Sequence, residues 1–178
     1  PAGTPTYTLD AGTITVGGNL IIGDDANGVT VTAATNDPIV NVTGTTTINN
    51  VAVYSTGDGD MTWTSTITVD GTLSGSGTGT ISSTGSLTGE GTVNLSGGTV
   101  DIRGAAASRR LGSTNTNNWT LNNVILSRST QIVFAGGLGG TGSVTINGTL
   151  TLGKPGDSSD VFISIPTVIL TGTGTPLV

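Results

Sequence analysis

Two short carboxylate pairs stand out, Asp24/Asp25 in "GDDANG" and Asp58/Asp60 in "GDGD". Grouped carboxylates serve two chemistries: general acid–base attack on a glycosidic bond, and coordination of a hard cation. Both pairs sit among Gly residues, where Asp more commonly caps its own backbone turn. Asp58 and Asp60 are the candidate calcium ligands, with Asp70 or a neighbouring subunit completing the six to eight oxygens that Ca²⁺ takes. The loop lacks the later bidentate acid of a full EF-hand loop, so calcium is a candidate cofactor and no other cofactor is expected.

Catalysis has little to draw on. The chain holds no His, no Cys and a single Glu (Glu90). A nucleophilic triad needs a base beside Ser or Cys, and general acid–base work at neutral pH usually uses His or a tuned carboxylate. The sequence therefore reads as a non-enzyme. It also lacks the thiolates and imidazoles of a structural zinc site.

Trp63 and Trp119 lie in segments that break the local rhythm, "YSTGDGDMTW" and "RGAAASRRLGSTNTNNW". Exposed indoles in such loops would be sugar-stacking platforms, so both are candidate glycan contacts. Arg109 and Arg110 interrupt an acidic chain and form a candidate docking loop for a partner or an identical copy. In "TWTSTIT", Thr62, Thr64, Thr66 and Thr68 would line one side of an extended strand. Flat Thr arrays on coiled β folds bind ice or crystalline surfaces only when Thr-x-Thr recurs at the same place in successive coils. No such register is evident here, and a solvated Thr face is the expectation. Four Asn-x-Ser/Thr sequons, at Asn41, Asn94, Asn118 and Asn147, are the number that chance supplies in so Ser/Thr-rich a chain.

With a net charge of −6, a pI near 4.1 and five basic residues, no basic face can be assembled, so nucleic acid is not an expected partner. No apolar run approaches the length of a membrane span. The chain starts at Pro1 without a basic-then-apolar leader, which fits a processed mature protein or merely a boundary where the chain was cut.

The supporting frame follows from apolar spacing. Leu73, Ile81, Leu87 and Val93 recur every six to eight residues within a Gly/Ser/Thr background. Elsewhere apolar residues come as pairs one residue apart: Ile14/Val16, Val29/Val31, Val93/Leu95, Val100/Ile102, Val144/Ile146 and Leu150/Leu152. Such a pair puts two side chains on one face of a short strand. Corner chemistry lies between the pairs, at 17–18, 23–28, 96–98 and 147–148. Short strands and short corners predict an all-β parallel β-solenoid with three faces and roughly eight coils. The competing architecture is an antiparallel β-sandwich or jelly roll, since "NG" at 147–148 is also a hairpin signal.

The expected organisation is one β domain over 1–178. It has an extended N-terminal segment (1–9), a loop insertion (103–118) and apolar C-terminal strands (161–178). The segments "GSLTGEGTVNLSGGTVDI" (85–102) and "GTGSVTINGTLTLG" (140–153) resemble the strand repeats of β-helical bacterial surface proteins. Those proteins are the autotransporter passengers, filamentous-haemagglutinin-like adhesins and β-strand-repeat proteins. The resemblance implies a right-handed parallel β-helix, export to the cell surface or beyond, and a structural or adhesive role. It carries over no functional residues.

A short solenoid exposes strand edges and core at both ends. Strand addition there would join copies into a fibre. The expected function is thus a structural subunit of an extracellular fibre, its partners being identical subunits. Tyr7, Leu9, Val161, Ile163, Val168 and Leu170, with Arg109 and Arg110, are the candidate assembly contacts. A glycan-binding adhesin or phage-fibre module is the alternative.

Overall fold

The computed structural model describes residues 4–103, 109–127, 132–134, 142–152, 161–163 and 168–171. The chain winds into a parallel β-solenoid with three faces, and no helix occurs among the described residues. The first coil is β1 (Thr6–Thr8), β2 (Thr13–Val16) and β3 (Leu20–Ile22); the second is β4 (Thr30–Thr32), β5 (Ile39–Val42) and β6 (Thr46–Ile48). The third is β7 (Val53–Thr56), β8 (Met61–Trp63) and β9 (Ile67–Val69); the fourth is β10 (Thr72–Gly75), β11 (Thr80–Ser83) and β12 (Leu87–Gly89). In the fifth, β13 (Thr92–Arg103) bends across two faces and β14 (Arg109–Ser113) forms the third. The same stacks continue through β15 (Trp119–Ser127), β16 (Ile132–Phe134), β17 (Val144–Ile146), β18 (Leu150–Leu152), β19 (Val161–Ile163) and β20 (Val168–Leu170). The first-face stack runs through eight rungs among the described residues: β1, β4, β7, β10, β13, β15, β17 and β20.

Every pairing between these strands is parallel, which rules out the antiparallel sandwich. Asn147 and Gly148 turn a corner between two faces and do not close a hairpin: their amides bond Leu121 and Asn122 of the coil before.

The register explains why so little apolar sequence suffices. On the first face Tyr7, Val31, Tyr54, Leu73 and Val93 stack in one inward file. On the second, Ile14, Val40, Met61, Ile81 and Val100 do the same. Ile22, Ile48 and Val69 form a file on the third. Between the end rungs each residue is covered by its equivalents above and below, so one or two inward side chains per strand build a continuous core.

Corners bring backbones too close for a side chain. Gly89 has φ +143°, and a Cβ there would sit 2.1 Å from the Val69 carbonyl oxygen. Gly98 has φ +64° and the same conflict with Gly79 at 2.2 Å. The Gly/Ser/Thr stretch that looks like a linker is therefore ordered by close stacking.

Two expectations change. The segment 103–118 is not a loop insertion throughout: Arg109–Ser113 is β14, held between β12 and β16, while 104–108 lie outside the described residues. Backbone pairing fixes this strand despite its two Arg residues. Likewise Thr62, Thr64, Thr66 and Thr68 do not share a strand. β8 ends at Trp63 and β9 begins at Ile67, so Thr62 and Thr68 lie on different faces with a corner between.

Candidate assembly site: the open rim of the first coil

The strands β1, β2 and β3 each pair on one side only, with β4, β5 and β6. Among the described residues their other edges are free. None of the three carries a charge or a proline, the usual devices that blunt an edge.

The core opens at the same rim. A cavity of about 330 Å³ is walled by Leu9, Ile14, Val16 and Leu20, with Val40 and Tyr54 at its floor. Ile14 and Val16 are half-buried, whereas their register partners Val40 and Val42 are only 2% and 1% exposed. The side chains are alike and point the same way. What differs is the rung above, present over the second coil and, among the described residues, not over the first. Tyr7, at the head of its inward file, is 58% exposed, and Ile21 on the rim's outer side is 65% exposed.

At the opposite end of the first face, β20 pairs only with β17 among the described strands. Val168 is half-buried, and Leu170 is 43% exposed although it continues the file of the buried Ile146. Val161 and Ile163 lie in β19, the terminal strand of the third-face stack among the described residues; their side chains fall outside the described residues. Tyr7, Leu9, Val168 and Leu170 thus lie at or beside the terminal rungs of the described first-face stack. Arg109 and Arg110 are not: they lie in β14, with strands stacked on both sides, and the Arg110 amide donates to Ser86 Oγ at 3.1 Å.

Trp63 and Trp119 are both fully buried, so neither ring can stack on a sugar. Trp63 packs edge-on to Tyr54 with centroids 6.5 Å apart, and Trp119 Nε1 donates to the Gly91 carbonyl at 3.0 Å. Burial also pushes the Tyr54 hydroxyl's pKa well above its ordinary value. Trp63 lies in register between the smaller Val42 and Ser83, and Trp119 beside Val144.

Asp58 and Asp60 serve the corners. Asp58 Oδ1 accepts the Thr78 amide at 2.6 Å and its hydroxyl at 3.1 Å; Asp60 Oδ1 accepts the Thr80 amide at 2.8 Å. The Asp58 amide in turn donates to Asp37 Oδ1 at 2.7 Å, and the Glu90 amide to Asp70 Oδ1 at 3.0 Å. These carboxylates tie each coil to the next, and Asp70 lies at a different corner from Asp58 and Asp60. Among the described residues no three acidic side chains gather in a metal-holding group. Asp24 caps its own turn, accepting the Ala26 and Asn27 amides at 2.8 and 2.6 Å. The side-chain bond from Asn27, then these backbone bonds, hold its pKa below the usual carboxylate value.

Comparison with protein-family profiles, with curated proteins and with solved structures returned no match. The likeness to β-helical surface proteins therefore stands at the level of the parallel β-solenoid alone.

Proposed function

We propose that this chain is a structural subunit of an extracellular fibre, joined head to tail to identical copies by parallel strand pairing at its ends. The observation that carries this reading is the contrast between Ile14/Val16 and Val40/Val42, which share a register but differ in cover among the described residues. A rung laid on the first coil would complete it. If β20 of one copy continues the first-face stack onto β1 of the next, Val168 extends the Tyr7 file and Leu170 falls beside Leu9. The extracellular setting rests on the resemblance and on an acidic, Cys-free, Lys-poor chain.

The energetics make pairing of the backbones essential. Covering four half-exposed apolar side chains contributes on the order of 4 kcal/mol. Association costs about 4–15 kcal/mol. Backbone hydrogen bonds along the edges, at about 0.5–1.5 kcal/mol each, supply the remainder. Assembly should therefore depend on concentration. Sedimentation velocity of the full chain over a hundredfold concentration range tests this: a growing series of species is expected, and a single unchanging monomer peak would overturn the reading. The glycan-binding alternative loses its platforms with the burial of both Trp rings.

A further inference from the structure

The chain carries two Asn-Gly pairs, Asn27-Gly28 in the corner between β3 and β4 and Asn147-Gly148 in the corner between β17 and β18. Gly has no side chain to shield its nitrogen, so in such a pair the backbone nitrogen readily reaches the preceding carboxamide carbon. The two pairs are alike in exposure: each Asn is exposed and each Gly half-buried. They differ in how the fold holds the reacting atoms.

Asn147 is locked to the coil before it. Its backbone amide donates to the Leu121 carbonyl and the Gly148 amide to the Asn122 carbonyl, both at 2.9 Å. Its side-chain oxygen accepts the Thr171 hydroxyl at 2.7 Å. A Cβ at Gly148 would lie 2.3 Å from Asn123 Oδ1, so this peptide has no room to swing while the coils stay stacked. Asn27 is held by its own turn instead. Its amide donates to Asp24 Oδ1 at 2.6 Å, and its Nδ2 donates to Asp24 Oδ1 and Oδ2 at 3.2 and 3.1 Å. These bonds are local and exposed, so water can replace them without parting one coil from the next. Among the described residues the Gly28 amide donates to no acceptor.

From this contrast we propose that Asn27 is a self-modification site, deamidated in the folded protein while Asn147 is protected. The Gly28 nitrogen gives its proton to solvent base and attacks Asn27 Cγ. The N–Cγ bond forms, the Cγ–Nδ2 bond breaks, and Nδ2 leaves as ammonia with a proton from water. Water then opens the cyclic succinimide at either carbonyl, giving aspartate or isoaspartate with no change of oxidation state. At Asn147 the same attack must first break both ladder bonds, which hold the nitrogen's hydrogen and fix the peptide plane. The consequence at Asn27 follows from Asp24. A group that donated to its carboxylate becomes a second carboxylate, adding negative charge beside Asp24 and Asp25 and removing a donor from the cap. The corner linking the first coil to the second is thereby weakened.

The test is incubation of the full chain in mildly alkaline buffer, followed over time by acid quenching, peptic digestion and mass spectrometry of the two Asn-Gly peptides. The Asn27 peptide should gain the mass that replaces NH2 by OH about tenfold faster than the Asn147 peptide, a barrier difference of about 1.4 kcal/mol. In guanidinium, where the fold is gone, the two should convert at similar rates. An Asn27 that stays intact in the folded chain would overturn the inference, as would equal conversion of both sites there. A difference that persists in guanidinium would overturn it too, since sequence and not fold would then be its cause. Asn27→Asp carries the product's charge from the start and should unfold at a lower urea concentration than the wild type. An equal midpoint would overturn the weakening of the corner.

Discussion

Val16 and Val42 occupy the same inward position one coil apart, the first half-buried at the rim and the second 1% exposed. Val16→Lys and Val42→Lys should therefore fail in different ways. At position 42 the ammonium would be enclosed by rungs on both sides with no acid in its file. Burying an unpaired charge costs several kcal/mol, a large part of a typical folding stability of about 5–15 kcal/mol. At position 16 the Lys stem can lie along the rim with its charge in water, so the monomer should lose about 1 kcal/mol or less. In the assembled state that rim is covered, and the same ammonium becomes buried. A penalty of about 2.7 kcal/mol or more would raise the concentration needed for assembly at least about a hundredfold. Urea denaturation gives the monomer stabilities, and light scattering against concentration gives the assembly midpoint. The reasoning fails if Val16→Lys assembles like the wild type. It fails equally if Val16→Lys is as destabilised as Val42→Lys, because the rim would then be covered within the monomer.

Trp63→Ala should cost about 3–5 kcal/mol in urea denaturation, the usual loss for a buried ring. Trp63→Phe should cost much less, since it keeps the contact with Tyr54 and removes an indole N–H that has no partner; equal losses would contradict this packing. Gly89→Ala should destabilise by about 2–4 kcal/mol, from backbone strain at φ +143° and collision with Val69, again read from the urea midpoint. The lowered pKa of Asp24 gives a stability contribution present above the unfolded carboxylate value near 3.8 and lost as pH falls through the lower folded value. Asp24→Ala should remove that acid-range component from the pH profile of stability, and an unchanged profile would show that the cap contributes nothing.

The dyads made the solenoid legible. Ile14/Val16, Val100/Ile102 and Val144/Ile146 all point inward, and the Gly-rich segments between them turn corners. Side-chain alternation is a local property, so it survives in the sequence. Register is not local. The partners Val53 and Thr72 are 19 residues apart and the partners Asn94 and Thr120 are 26, so no fixed period reveals which Thr residues align. For the same reason the ladder roles of Asp58 and Asp60 escape local reading, because their backbone partners lie 20 residues on in the next coil. Trp63 and Trp119 were misleading because polar, irregular neighbours suggested loops, while strand parity turns both rings into the core. The strand at 109–113 was hidden by its two Arg residues, since pairing with β12 and β16 involves the backbone.

The most direct test of end-to-end assembly is negative-stain electron microscopy of the full chain at high concentration, without fixative. Unbranched fibres of uniform width, one solenoid thick, are the predicted result. Separate short rods at every concentration would contradict the account and leave the open rim without an identical partner.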